Sequence, residues 1–319
     1  MNKDIEIWAE KYRPTSLKGV ILPKRLKSYF QDILKTENVP NLLLCGKPGV
    51  GKTTVAKAIC NDLSCNYLLI NGSDESGIDT FRSKIKDFAT TVSLTGTQLK
   101  VVIIDEADYL NPSSTQPALR SFMEEYSSNC RFIFTANYKQ KIIHALQSRM
   151  AVVDFSFTKE EKETMLAEFS NKVFKILKTE GVPFESEEVV IYHVKRLFPD
   201  FRKILVELQK YASINGKIDE GILGQSKSVE REILEVYKYM KEMNFDLMRE
   251  WVARHIQMST DPYSIIRSIY DVIIPKLDSV KKKENVIVIL ANYQAKLPYV
   301  VDYEIHMMAM LVEISLEIR

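Results

Sequence analysis

Residues 46–53 read Gly46-Lys47-Pro48-Gly49-Val50-Gly51-Lys52-Thr53, and Thr54 follows. Glycines at three of these positions free the backbone to turn its amides toward phosphate oxygens, and a helix beginning there adds the positive end of its dipole. Lys52 then reaches β- and γ-phosphates, and the Thr53 hydroxyl is a ligand for Mg²⁺. An ordinary glycine-rich turn is the alternative. The apolar run before the segment (41–45) and the helical pattern after it (54–63) supply the strand and helix that a phosphate-binding P-loop requires.

A second segment, this one acidic, complements the first. Residues 101–108 read Val-Val-Ile-Ile-Asp-Glu-Ala-Asp, an apolar strand ending on acids at its carboxyl edge. Asp105 is placed to hold Mg²⁺ through water. Glu106, one residue on, is the candidate general base for an attacking water. Two solvated acids capping a strand would look similar in isolation. The letters D-E-A-D also name a helicase family, but none of that family's other motifs accompanies them. No N-K-x-D guanine-reading segment is present, which favours ATP over GTP.

These side chains need a scaffold. Short apolar runs at 41–45, 67–70, 101–104 and 132–135 read as buried parallel strands, and the segments 53–63 and 78–92 between them carry helical spacing. The consequence is a doubly wound α/β sheet. After Phe157, Thr158 followed by acidic residues marks a helix start. Helical patterns continue over 185–197 and 201–212, reach a polar stretch at 215–224, and resume from Ser226 to the end. The expected organisation is an α/β ATPase domain at 1–156, a helical lid at 157–225 and an all-helical domain at 226–319. No repeat or low-complexity segment interrupts it.

Composition narrows the alternatives. A chain of 319 residues with 45% hydrophobic and 27% charged residues suits a globular protein of two or three domains. No run of about 18 apolar residues is present, and the first residues lack signal-peptide character, so neither membrane insertion nor export is expected. The formal charge of +2 provides no global field for nucleic acid, so DNA contact must come from local patches. Cys45, Cys60, Cys65 and Cys130 lack metal-ligand spacing and read as buried free thiols.

Several spaced segments beyond the nucleotide motifs resemble the AAA+ sliding-clamp loaders. Residues 8–14, Trp-Ala-Glu-Lys-Tyr-Arg-Pro, resemble the opening signature of replication factor C small subunits, which implies that Tyr12, Arg13 and Pro14 cover the adenine. Residues 69–78 resemble the family's N-A-S-D segment, with Gly72 in place of alanine; the resemblance makes Asn71 a regulatory partner that holds Glu106 inactive until DNA arrives. Thr135-Ala136-Asn137 resembles sensor 1, whose Asn137 orients the attacking water. Residues 147–150 resemble the Ser-Arg-Cys motif, with Met150 for the cysteine, so Arg149 would reach into a neighbour's ATP site. Residues 199–202 resemble sensor 2 and place Arg202 against the γ-phosphate of its own subunit. The specific resemblance spans 8–225; the last third matches as a helical collar.

The segments 198–203, 121–124 and 126–130 point to the large-subunit branch typified by the bacteriophage T4 loader, with archaeal replication factor C small subunits as the near alternative. The resemblance implies a DNA-stimulated ATPase using ATP and Mg²⁺. Its partners would be further copies of itself, a distinct small subunit, a sliding clamp and primer-template DNA, in the cytoplasm of an infected host if the gene is a phage's. A scaffold that binds ATP without hydrolysing it is disfavoured by the intact catalytic set, and another AAA+ DNA machine by the Lys-Tyr-Arg-Pro and Ser-Arg segments.

Candidate DNA contacts combine geometry with the resemblance. A helix over 78–88 burying Ile78, Phe81, Ile85 and Phe88 leaves Arg82 and Lys86 one turn apart on its flank. The family lines its inner wall with this helix and the one starting near 112–116, which adds Ser113 and Ser114. Such contacts position the backbone without reading sequence; a solvated basic flank is the competing reading. Gln116 and Arg120, four residues apart, could connect these contacts to Glu106 or to the next subunit.

Overall fold

The computed structural model describes residues 6–74, 77–91, 99–257 and 261–318. The chain forms two compact units, Met1–Asp219 and Glu220–Arg319.

In the first unit, β1 (Leu42–Cys45), β2 (Asn66–Asn71), β3 (Lys100–Asp105), β4 (Cys130–Ala136) and β5 (Ala151–Asp154) build one parallel sheet ordered β2-β3-β4-β1-β5. The apolar runs are central because both faces are covered: Leu42 to Leu44 and Val101 to Ile104 are fully buried. β5 carries no such run; only Val153 is buried, so sequence pattern does not mark it.

Helices α1 (Trp8–Lys11), α2 (Lys24–Thr36), α3 (Lys52–Asp62), α4 (Ile78–Thr90), α5 (Thr115–Glu125) and α6 (His144–Gln147) accompany the sheet. On one face, Phe81 and Ile85 of α4 and Leu119 and Phe122 of α5 cluster with Leu43, Val102, Ile104, Phe132 and Phe134. Strand side chains alternate sides, so the equally buried Leu42, Leu44, Val101, Ile103 and Ile133 belong to the opposite face, where α3 packs on β3 and β4. The sheet is doubly wound, as expected. Val92, the expected end of the 78–92 helix, lies outside the described residues, as do positions 75–76 of the 69–78 segment. All four cysteines are free and buried.

Three further helices follow: α7 (Lys159–Thr179), α8 (Glu187–Leu197) and α9 (Phe201–Asn215). Each has the polar N-cap its sequence offers. Thr158 and Glu161 close a reciprocal capping box, Ser186 accepts from Val189 N, and Asp200 accepts from Lys203 N. α9 runs three residues past the expected Ala212 and stops at Gly216, whose φ of 71° suits a left-handed C-cap.

The second unit contains α10 (Gly221–Lys241), α11 (Phe245–Gln257), α12 (Pro262–Ile273), α13 (Val280–Lys296) and α14 (Tyr303–Ile318). The tail of the polar 215–224 stretch is thus already helical. Ile233, Val236, Met240, Trp251, Ile265, Ile266, Ile269 and Ile273 share its core, following the three-to-four spacing of an amphipathic helix. No helix among the described residues is long and apolar enough to cross a membrane.

Candidate nucleotide site

The phosphate loop leaves β1 at its carboxyl end and enters α3. Gly46, Gly49 and Gly51 all have positive φ, at 152°, 73° and 95°, so the sequence's glycines occupy positions that side chains resist. Lys52 turns back into this loop: its Nζ donates to Gly46 O at 2.7 Å, Lys47 O at 2.8 Å and Asn137 Oδ1 at 2.9 Å. Burial lowers its pKa, partly opposed by Asp105. A buried ammonium satisfied by three neutral acceptors is a cationic centre that an incoming phosphate can take over.

β3 and β4 end beside this lysine. The Thr53 hydroxyl donates to Asp105 Oδ1 at 2.7 Å, and the Thr135 hydroxyl donates to the same oxygen. Thr135 also accepts from Glu106 N at 3.1 Å, so one buried hydroxyl ties both acids together. Glu106 itself adopts a left-handed backbone, with φ of 54°. One residue beyond Ala107, the buried Asp108 carboxylate accepts from Asn137 N at 3.2 Å and Tyr138 N at 3.3 Å, which fixes the backbone that carries Asn137 beside Lys52.

A single pocket gathers Tyr12, Arg13, Pro14, Pro48, Gly49, Gly51, Lys52, Thr53, Thr54, Asp105, Glu106, Asn137 and Arg202. Apolar walls are added by Val20 and Ile21 and, from α7 and α9, by Phe169, Phe201 and Leu205. Phe169 and Phe201 meet at 4.6 Å between ring centroids. Lys172, whose pKa burial lowers, lies on the same wall. The N-terminal segment is fastened to the helices above it by the Tyr12 hydroxyl and Lys11, both bonded to Glu180, and by Trp8 N donating to Gln209 Oε1 at 2.8 Å. The arrangement suits a planar apolar group attached to a polyphosphate: an apolar slot at one end, a glycine-lined cationic cradle with a hydroxyl and a carboxylate at the other.

The remaining expected residues stand outside this pocket. Gly46 and Lys47 contribute the carbonyls that hold Lys52, and Val50 is buried behind the loop. Asn71 pairs in register with Asp105, but its amide is engaged within its own turn, donating to Asp74 Oδ2 at 2.8 Å and accepting from Ser73, rather than on Glu106. Such local closure is the usual preference of a short amide side chain. Gln116 is fully buried, donating to Leu110 O and Lys141 O and accepting from Ile143 N at 2.8 Å, so it joins the segment after Glu106 to the segment after Asn137. Arg149 is paired with Glu124 at 2.8 Å, away from its own pocket. Arg82 and Lys86 are exposed on α4, with Arg82 loosely paired to Asp79 at 3.7 Å, and Ser113 and Ser114 are exposed just before α5.

Thr135 and Asp108 stand inside motifs visible in the sequence, yet nothing local announces their bonds. The apolar wall from α7 and α9 carries no signal beyond the spacing of buried helical residues.

The family model described as "ATPase family associated with various cellular activities (AAA)" matches residues 42–156, and that described as "Sliding-clamp-loader large subunit, AAA+ ATPase lid domain" matches residues 161–224. The sliding-clamp-loader large subunit of Enterobacteria phage T4 is 37% identical over 289 residues, covering 86% of this chain and 89% of its own. That of Escherichia phage RB69 is 33% identical over 322 residues, covering 100% and 98%. The chain belongs to the sliding-clamp-loader large-subunit family. The chain is therefore an AAA+ ATPase. The replication factor C small subunit of Archaeoglobus fulgidus is also similar, 38% identical over 265 residues and 79% of each chain. Among solved structures, the Thermotoga maritima RuvB Holliday junction branch migration motor superposes with a TM-score of 0.52 at 15% identity, covering 83% of this chain and 91% of that one; at this identity the likeness is one of fold.

Proposed function

We propose that this large subunit is the ATP-hydrolysing motor of a sliding-clamp loader. With further copies of itself and a distinct small subunit, it opens a DNA-polymerase processivity clamp and places it on primer-template DNA, and hydrolysis releases the closed clamp. The observation that carries this reading is the convergence of Lys52, Thr53, Asp105, Glu106 and Asn137 at the carboxyl ends of β1, β3 and β4, under a wall formed by Phe201 and Arg202. Relatives bearing the clamp-loader name across nearly the full chain support it.

In this reading the backbone amides of 46–53 and Lys52 hold the triphosphate, while Tyr12, Arg13 and Pro14 enclose the base. Thr53 and Asp105 would hold Mg²⁺, which when bound neutralises charge on the β- and γ-phosphate oxygens. Glu106 accepts the proton of the attacking water, Asn137 orients that water, and Arg202 stabilises the γ-phosphate from the same subunit. Arg149 leaves Glu124 to serve a neighbour's site. Asn71 and Gln116 regulate, the latter by linking the Glu106 segment to the strand-end loop that leads to Arg149. Arg82, Lys86, Ser113 and Ser114 grip DNA phosphates. The working division is an ATPase domain at 1–156, a lid at 157–225 and an oligomerising collar at 226–319, acting in the cytoplasm of an infected host.

The test is ATPase activity with and without clamp and primed DNA, for wild type and Glu106→Gln. The variant keeps its metal and phosphate ligands but loses the proton acceptor, so it should bind ATP and clamp and accumulate an open complex without turnover. Near-normal hydrolysis by Glu106→Gln rules out Glu106 as the base.

A further inference from the structure

The N-terminus of α9 rests directly on the phosphate loop. Phe201 N donates to Gly49 O at 3.1 Å, and Asp200 precedes it as the N-cap, its Oδ1 accepting from Lys203 N at 2.9 Å. A Cβ built on Gly49 would stand 1.9 Å from Asp200 Oδ1 and 2.4 Å from its Cγ, so the carboxylate occupies the space that any side chain at 49 would need. Gly49 is thus a glycine for two reasons, its φ of 73° and this carboxylate. Among the described residues no cation forms an ion pair with Asp200. A negative group held by its helix cap, and by no side-chain cation, consequently lies against a loop whose amides and lysine are arranged for anions.

We propose that Asp200 is a positioning residue for the P-loop: it seats the loop's central turn against α9 and, through its charge, limits how tightly nucleotide phosphates are held. The inference rests on the reading that this pocket binds a nucleoside triphosphate. The cap fixes the carboxylate in place and the Phe201–Gly49 hydrogen bond fixes the distance, so the charge cannot swing away when phosphates arrive. The functional gain is release: a site that must discharge product each cycle benefits from a built-in repulsion that acts on di- and triphosphate alike.

Asp200→Asn separates charge from structure, because asparagine is an equally good N-cap of the same shape. Binding of ADP and of a non-hydrolysable ATP analogue to the full chain is measured by calorimetry at low salt and at about 0.5 M salt. Asp200→Asn should bind both roughly three- to tenfold more tightly than wild type at low salt, with an unchanged thermal midpoint. The gain should shrink at high salt, which a merely structural role would not produce. Asp200→Ala should show a similar gain in affinity but a lower thermal midpoint, since it also loses the cap. Equal or weaker binding by Asp200→Asn, or a gain that salt leaves untouched, overturns the role of Asp200 while leaving the nucleotide site intact. A wild-type chain that binds neither nucleotide overturns both.

Discussion

The Thr135 hydroxyl offers a direct test of how the acids are held. Thr135→Val keeps the side chain's volume and removes the oxygen that donates to Asp105 and accepts from Glu106 N. The bond to a carboxylate contributes about 1.5–3 kcal/mol and the neutral one about 0.5–1.5 kcal/mol, so the two together are worth roughly 2–4.5 kcal/mol. Thr135 is only 1% exposed, so water cannot replace it cheaply. Chemical denaturation should show that loss. Asp105 keeps Thr53, so the carboxylate proposed to hold Mg²⁺ stays in place, but the backbone that carries Glu106 loses its tether. If Glu106 is the proposed base, kcat should fall about 10- to 100-fold with a smaller change in nucleotide affinity, because misplacement of a base affects the transition state more than the bound substrate. Thr135→Ser retains the hydroxyl and should recover most of the rate. A Thr135→Val chain within twofold of wild type, or a Thr135→Ser chain as impaired as it, refutes the tether.

Arg149→Ala should abolish DNA-stimulated hydrolysis although its own pocket is complete, a loss of roughly 10³- to 10⁵-fold if the arginine serves a neighbour. Mixing it with Lys52→Ala chains should restore some activity, and verified mixed assemblies that stay inactive would count against action in trans. Arg82→Glu with Lys86→Glu should weaken primed-DNA binding and flatten its salt dependence by about 1.8 in log–log slope, with basal ATPase retained; an unchanged slope would return these residues to a solvated flank. His193 is 1% exposed, with no hydrogen bond to either ring nitrogen and only the Glu207 carboxylate near Nε2, at 3.7 Å; burial, aided by Arg196, lowers its pKa from 6.5 to about 4. The folded state therefore binds this proton less readily than the unfolded one. Its contribution of about 3 kcal/mol is present above pH 6.5 and is lost as pH falls toward 4, a loss that urea titrations should detect and that His193→Leu should abolish.

Much of the nucleotide site is legible because its determinants are local. Glycines at 46, 49 and 51 are needed for the backbone each occupies, Lys52 and Thr53 follow from the helix that starts there, and Asp105 and Glu106 close an apolar run that a parallel sheet must bury. The same locality makes the cap at Thr158 readable; Ser186 and Asp200 cap their helices by the same reach to an amide three residues on, although the helical patterns over 185–197 and 201–212 do not single them out. β5 escaped this kind of reading, because pairing with β1 defines it and its own apolar content does not. Thr135 on Asp105, Asp108 on the amides of Asn137 and Tyr138, and Phe201 on Gly49 join residues about 30 to 150 positions apart. Asn71 and Gln116 show the same limit from the other side: their polarity is visible in the sequence, whereas their partners depend on which carbonyls and amides the packed strands and helices bring within hydrogen-bond reach. A side chain's chemistry belongs to the residue, but a hydrogen bond needs an approach of about 3 Å, and over such separations only the register of the sheet and the docking of α9 set that distance.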